Sequence, residues 1–182
     1  IGLIIFKSHD DFSYYHFPYT MIISEFSHPI GLGVMNNGFR NPSSIFFLNS
    51  LFYLPKVNYY LFHISPAYFL GFLNIIFEKN IFEKKYFENV NFVNFLSLIS
   101  LLFVNIFFYR MAEYGTDRAP QIVIILTIIL SLFLLNENFE KKQKKIDTVF
   151  IIFILLALAL SLKPIFLLYF SLILILLFSN NI

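Results

Sequence analysis

The chain has 182 residues, of which 58% are hydrophobic and 13% charged, with a mean hydropathy of +0.74 and a net charge of +2. Soluble domains average about 45–50% apolar residues, so this chain is too apolar for one and is expected to be an all-α, polytopic helical membrane protein. The absence of cysteine excludes disulfides and thiolate chemistry, and so small a charge offers no basic footprint for nucleic acid.

In chain order, residues 1–6 are apolar (Ile1-Gly2-Leu3-Ile4-Ile5-Phe6). They are too short to cross a core of about 30 Å or to form a signal peptide. They read as the end of a first membrane helix, and the sequence as a fragment. Residues 7–56 form a long polar-aromatic first loop that opens on His9-Asp10-Asp11-Phe12-Ser13-Tyr14-Tyr15-His16. Within it a helix is expected over Asp11–Phe26, kinked at Pro18. Gly31-Leu32-Gly33 and Asn36-Asn37-Gly38 are turn signals. Ser43 or Ser44 should cap an interfacial helix over Ile45–Leu54, which Pro55 ends. The aromatic run Phe46, Phe47, Phe52, Tyr53, Tyr59 and Tyr60 predicts a belt at the membrane surface.

Membrane helices are expected over 57–77, 90–109 and 119–135, separated by a charged loop at 78–89 and a short polar loop at 110–118. After a second charged loop at 136–147, residues 148–178 are apolar apart from Lys163, which Pro164 follows. One continuous helix there would run about 46 Å and would place Lys163 at mid-membrane, at a cost of about 3 kcal/mol or more. A helical hairpin broken at Lys163-Pro164 brings the lysine to a surface instead, and is preferred.

The loops at 78–89 and 136–147 concentrate Lys79, Lys84, Lys85, Lys141, Lys142, Lys144 and Lys145. The other side carries its basic residues singly. The positive-inside rule therefore puts these two loops in the cytoplasm. The first loop, the Glu113–Arg118 loop and Lys163 then share the outer face.

Ionisable groups beside a bilayer are costly, so they are the functional candidates. Asp10 and Asp11 suit a general base for an acceptor hydroxyl, or a helix cap. With His9 and His16 they could bind a divalent cation, but their spacing matches no metal motif and no cofactor is expected. Arg118, at the N-terminus of a helix, suits a phosphate or an internal pair with Asp117 or Glu113. Lys163 suits the same phosphate or a snorkelling role. His63 reads as a packing histidine, and Asn74, Asn94 and Asn105 as interhelical glue.

This ordered set resembles the GT-C class of membrane glycosyltransferases, the group of protein O-mannosyltransferases and aminoarabinose transferases. Asp10-Asp11-Phe12-Ser13-Tyr14 is similar to that class's Asp-Glu-x-x-Tyr after the first membrane helix. Gly38-Phe39-Arg40-Asn41-Pro42 resembles its Gly/Pro segment, and Lys163-Pro164 its Lys-Gly-Pro without the glycine. The resemblance covers the N-terminal third to half of a typical member. It implies transfer of a sugar from a polyprenyl-phosphate donor, at the outer face of a bacterial inner membrane. Asp10 or Asp11 would take the acceptor's proton, and Arg118 and Lys163 would hold the donor phosphate. Glu113, Asp117, Tyr14 and His16 would support them, with Asp117 orienting Arg118. The alternatives are a multi-pass transporter or flippase and a non-catalytic membrane subunit.

Overall fold

The computed structural model describes residues 11–26, 30–40, 43–82, 91–108, 116–136 and 142–178. All regular structure among them is helical. A π-helical turn, Phe12–His16, leads into α1 (Phe17–Glu25). Then come α2 (Leu32–Met35), a 3-10 turn at Asn37–Arg40, and α3 (Ser44–Ser50). The longer helices follow: α4 (Ile64–Phe82), α5 (Asn91–Phe107), α6 (Arg118–Asn136) and α7 (Lys142–Leu162). A 3-10 segment, Pro164–Phe170, joins α7 to α8 (Ser171–Phe178). Three stretches are long and apolar enough to cross a membrane: Tyr59–Phe82, Arg118–Leu135 and Lys145–Leu162.

Several boundaries differ from the sequence expectation, each for a local reason. The helix expected at 57–77 begins at Ile64 and runs to Phe82. Lys56 and Asn58 have positive φ (71° and 52°) and cannot belong to it. Pro66 falls in its first turn, where a missing N–H costs nothing. The helix expected at 90–109 is the 17-residue α5, about 25 Å long, which is shorter than an apolar core of about 30 Å. The charged segment before residue 148 is partly helical, because lysine and glutamine favour helix and α7 takes them up from Lys142.

α6 is the centre of the bundle. Ala119, Val123 and Leu134 enter one core with α3, α7 and α8, which contribute Phe46, Leu156, Ala159 and Ile173. Ile122, Leu126 and Ile129 enter a second core with Leu73 and Phe77 of α4 and Val93 and Val104 of α5. Thr127 and Ser131 lie buried in α6 and donate back to the Val123 and Thr127 carbonyls at 2.8 Å, so no hydroxyl proton is stranded. α4 and α5 are joined antiparallel by polar rungs. Asn74 and Asn105 exchange amide hydrogen bonds of 3.2 and 2.9 Å, and Asn80 donates to Ser97 at 3.2 Å.

Pro164 ends α7. It has no N–H to continue the ladder, and Lys163 is extended before it (φ −155°, ψ 119°). α8 packs on α6, which a straight continuation of α7 could not reach. The break strips helical donors from the Ser161 and Leu162 carbonyls, and the first loop replaces them. The Ser43 hydroxyl donates to the Leu162 carbonyl, and the Ser44 hydroxyl to the Ser161 carbonyl at 2.8 Å. Ser43 Oγ also accepts from the Ile45 N–H at 3.3 Å, so it caps α3 while docking it. The same logic applies at Pro18, which cannot donate to the Tyr14 carbonyl; that carbonyl accepts from Asn36 Nδ2 at 2.9 Å instead. The expected kink at Pro18 is a π turn placed before it, and Pro18 itself sits in the first turn of α1.

Phe46 does not belong to a surface belt. It is 1% exposed, packed edge-on against Tyr15 and Tyr19 at 6.3 and 5.1 Å. Full burial of such a side chain contributes about 1.5–3 kcal/mol, which outweighs its value at an interface.

Removing the docking hydroxyls tests the first-loop attachment. Ser43→Ala leaves the buried Leu162 carbonyl without its donor and should cost about 1–3 kcal/mol. Ser44→Ala, at a more exposed bond, should cost less than about 1 kcal/mol. Thermal unfolding in detergent, followed by circular dichroism, measures both; a larger loss at Ser44 would contradict the assignment.

Candidate functional site

The helix ends next to the first loop enclose a pocket of about 480 Å³. The loop supplies Tyr15, Asn37, Gly38 and Ser43, the segment before α6 supplies Thr116, and the α7 break supplies Leu162, Lys163, Pro164 and Ile165. The lining mixes polar side chains with the apolar Leu162, Pro164 and Ile165. The volume is ordinary for a small-molecule site.

Tyr15 is held from several sides. Asn36 accepts the Gly38 N–H at 2.8 Å while donating to the Tyr14 carbonyl, so the 36–40 turn is pinned to the π turn. Gly38 then lies close against Tyr15; a Cβ there would stand 2.5 Å from Tyr15 Cγ, which only glycine avoids. The Tyr15 ring also packs edge-on against His16 at 4.2 Å. Burial pushes the phenol above its ordinary pKa, and the Asp11 and Asp117 carboxylates push it the same way, against the opposing influence of the Thr116 hydroxyl. Both carboxylates therefore stand within electrostatic reach of this hydroxyl.

Lys163 Nζ pairs with Asp117 Oδ1. Thr116 Oγ1 donates to the same oxygen at 3.2 Å. The side chains of Lys163 and Asp117 are 36% and 55% exposed, and a pair so open to water is worth about 0.2–1 kcal/mol. An incoming anion can displace Asp117 from Lys163 at little cost.

The candidates from sequence separate into three groups. Lys163 lines the pocket, and Asp117 and Asp11 border it through their reach to Tyr15. Arg118, Tyr14 and His16 do not line it. Arg118 donates to Gln121 Oε1 at 3.0 Å and lies 4.9 Å over the Phe108 ring. Asp117 thus orients Lys163 and not Arg118, because the bend at Pro164 delivers the lysine to that carboxylate. Tyr14 is 57% exposed, and His16 is buried against Phe46 at 5.6 Å. Asp10, His9 and Glu113 lie outside the described residues. Asp11 sits at the head of the π turn but makes no capping hydrogen bond with its side chain. No cluster of three metal-ligating side chains occurs among the described residues.

Tyr15, Thr116, Asn37 and Ser43 were not singled out from sequence as site residues. Tyr15 stands four residues after Asp11, a spacing that shares a helix face, and that signal was available. Thr116 had none beyond its place in a polar loop. No family model matches the chain, and neither a curated protein nor a solved structure matches it significantly.

The Tyr15 environment has a pH consequence. Because the folded value is raised, the native protein keeps a phenolic proton that the unfolded chain loses near pH ~10. The stabilising contribution is intact below that pH and is lost as pH rises through the folded value. In a phenolate absorbance titration, the Tyr15→Phe difference should isolate a step above the ordinary tyrosine range. Asp11→Asn should move that step down, since it removes one of the carboxylates that raise it.

Proposed function

We propose that the protein is a multi-pass membrane glycosyltransferase of the GT-C kind, which transfers a sugar from a polyprenyl-phosphate donor to an acceptor hydroxyl. The observation that carries this reading is the pocket at the ends of apolar helices, where Lys163, paired with Asp117, meets the first-loop face and the Tyr15 hydroxyl lies within electrostatic reach of Asp11 and Asp117. The membrane setting is supported by the helices long enough to cross one, and by the outward faces of α4 and α5. Those faces expose Phe72, Ile75, Phe95, Leu102, Phe103 and Ile106, the side chains that lipid would cover.

In this reading Asp11, or its neighbour Asp10, takes the proton of the acceptor hydroxyl as the sugar moves. Lys163 neutralises the charge growing on the leaving phosphate, releasing Asp117 as it does so. Arg118 is a structural residue at the start of α6. A transporter would need its charges along the membrane midplane, whereas Asp117 and Lys163 sit at helix ends. The lysines at the opposite ends of α4 and α7, Lys79 and Lys145, mark the cytoplasmic side. The pocket then opens outward, at the outer face of a bacterial inner membrane.

Two measurements test this. In liposomes supplied with polyprenyl-phosphate-linked sugar, Asp11→Asn should slow transfer by about 10²–10⁴-fold, and Lys163→Ala should raise the donor KM. Wild-type protein without transfer, or both variants at wild-type rate, would end the proposal. For orientation, a cysteine at Asn37 should be labelled by an impermeant reagent from outside intact cells, and one at Gln143 should not. The reverse pattern would invert the assignment.

A further inference from the structure

Around α2 the first loop is apolar on two faces. Leu32 and Phe39 pack against the core that contains Tyr19 and Phe46. Ile30, Val34 and Met35 face out, and are 104%, 88% and 76% exposed. A turn that met only water would carry polar residues there. The open residues are held in place: Gly31 turns the chain with a φ of 90°, and its carbonyl accepts the Val34 N–H at 2.9 Å. One cation stands beside them. Arg40 Nε donates to the Gly33 carbonyl at 3.0 Å, and its stem crosses that glycine, where a Cβ would stand 3.0 Å from Arg40 Cγ. The rest of the Arg40 fork has no partner among the described residues. The level of this stretch follows from the docking of the loop. Ser43 and Ser44 donate to the Leu162 and Ser161 carbonyls, and the apolar run Lys145–Leu162, long enough to cross a membrane, ends at that same turn. In a bilayer, hydrocarbon gives way to headgroups there.

We propose that Ile30, Val34 and Met35 dip into the leaflet on the first-loop side of the membrane, and that Arg40 holds the phosphate of an anionic phospholipid beside them. Apolar side chains backed by a basic residue suit the boundary between acyl chains and headgroups. The free part of the guanidinium fork matches two oxygens of a phosphodiester. A free phosphate would account for the arginine and leave the apolar residues bare, whereas a lipid satisfies both. The contact would tether the first loop to the bilayer from outside, while Ser43 and Ser44 tether it to α7 from within. It needs a membrane and not the transfer reaction, so a failure of sugar transfer would leave it standing.

The chain contains no tryptophan, so Val34→Trp introduces a single emitter at the tip. The purified full chain is placed in vesicles of phosphatidylcholine and phosphatidylglycerol, with iodide on both sides as the aqueous quencher. Lipid brominated in the upper part of its chains should remove about half of the emission or more, because apolar interfacial segments sit about 5–10 Å into the headgroup–acyl boundary. Iodide should remove little. When phosphatidylglycerol carries the bromines, quenching should exceed that from brominated phosphatidylcholine by up to about fivefold, the worth of one basic residue at an anionic surface. Arg40→Gln should bring the two lipids to equality. Met35→Trp gives the same reading should Val34→Trp fail to fold. Quenching by iodide and not by bromine would place the tip in water and overturn the proposal. Protection from both would mean that protein covers it, such as a second copy of the chain, and would overturn it too. Equal quenching by the two lipids with Arg40 intact, or a preference that survives Arg40→Gln, would remove the headgroup contact and equally defeat it.

Discussion

The structure depends on the unmade hydrogen bonds at the end of α7. A buried carbonyl without a donor costs about 1–3 kcal/mol, and the break at Pro164 leaves one at Leu162, beside the more open carbonyl of Ser161. The polar first loop has the hydroxyls to meet them, and Ser43 and Ser44 do so. That requirement, together with the burial of Tyr19, Ile45 and Phe46, fastens the loop onto the helical bundle. It also fixes the direction of Lys163. An extended residue before the proline points the side chain across to Asp117 at the head of α6. The loop, the α6 entry and the α7 exit are thereby gathered at one end of the molecule.

The pocket follows from that gathering. Its polar lining is made by residues far apart in sequence, each placed by a different local device. A π turn and a close glycine place Tyr15, a cap places Ser43, and a helix break places Lys163. None of these devices needs a long-range salt bridge for its own stability. The Lys163–Asp117 ion pair is half open to water and contributes little to folding, so it is free to exchange partners when a ligand arrives.

Helix content and the helix break were legible in the sequence because they depend on composition and on one proline. The boundaries were less so. A helix end depends on backbone angles, as at Lys56 and Asn58, or on propensity carried by charged residues, as at Lys142. The site was legible in part. Lys163 stood out as a charge in apolar surroundings and Asp117 as an acid of the short polar loop before α6, but their pairing did not, since Arg118 was the nearer cation in sequence. Only the three-dimensional bend made Lys163 the nearer one in space. The short acidic motif pointed to Tyr14 in place of Tyr15. It counts residues along the chain, whereas the π turn and Gly38 decide which ring faces inward. Phe46 was misread because aromatic abundance says nothing about which ring the cap at Ser43 will bury.

The amide rungs between α4 and α5 have a mechanical consequence. Asn74 meets Asn105 and Asn80 meets Ser97 in one antiparallel alignment. Sliding one helix by a turn would part both rungs together and set four polar side chains against hydrocarbon. Intermediate offsets satisfy none of them. The hairpin is therefore an indexed joint: it can tilt or swing as one piece about α6, but it cannot creep along its own axis.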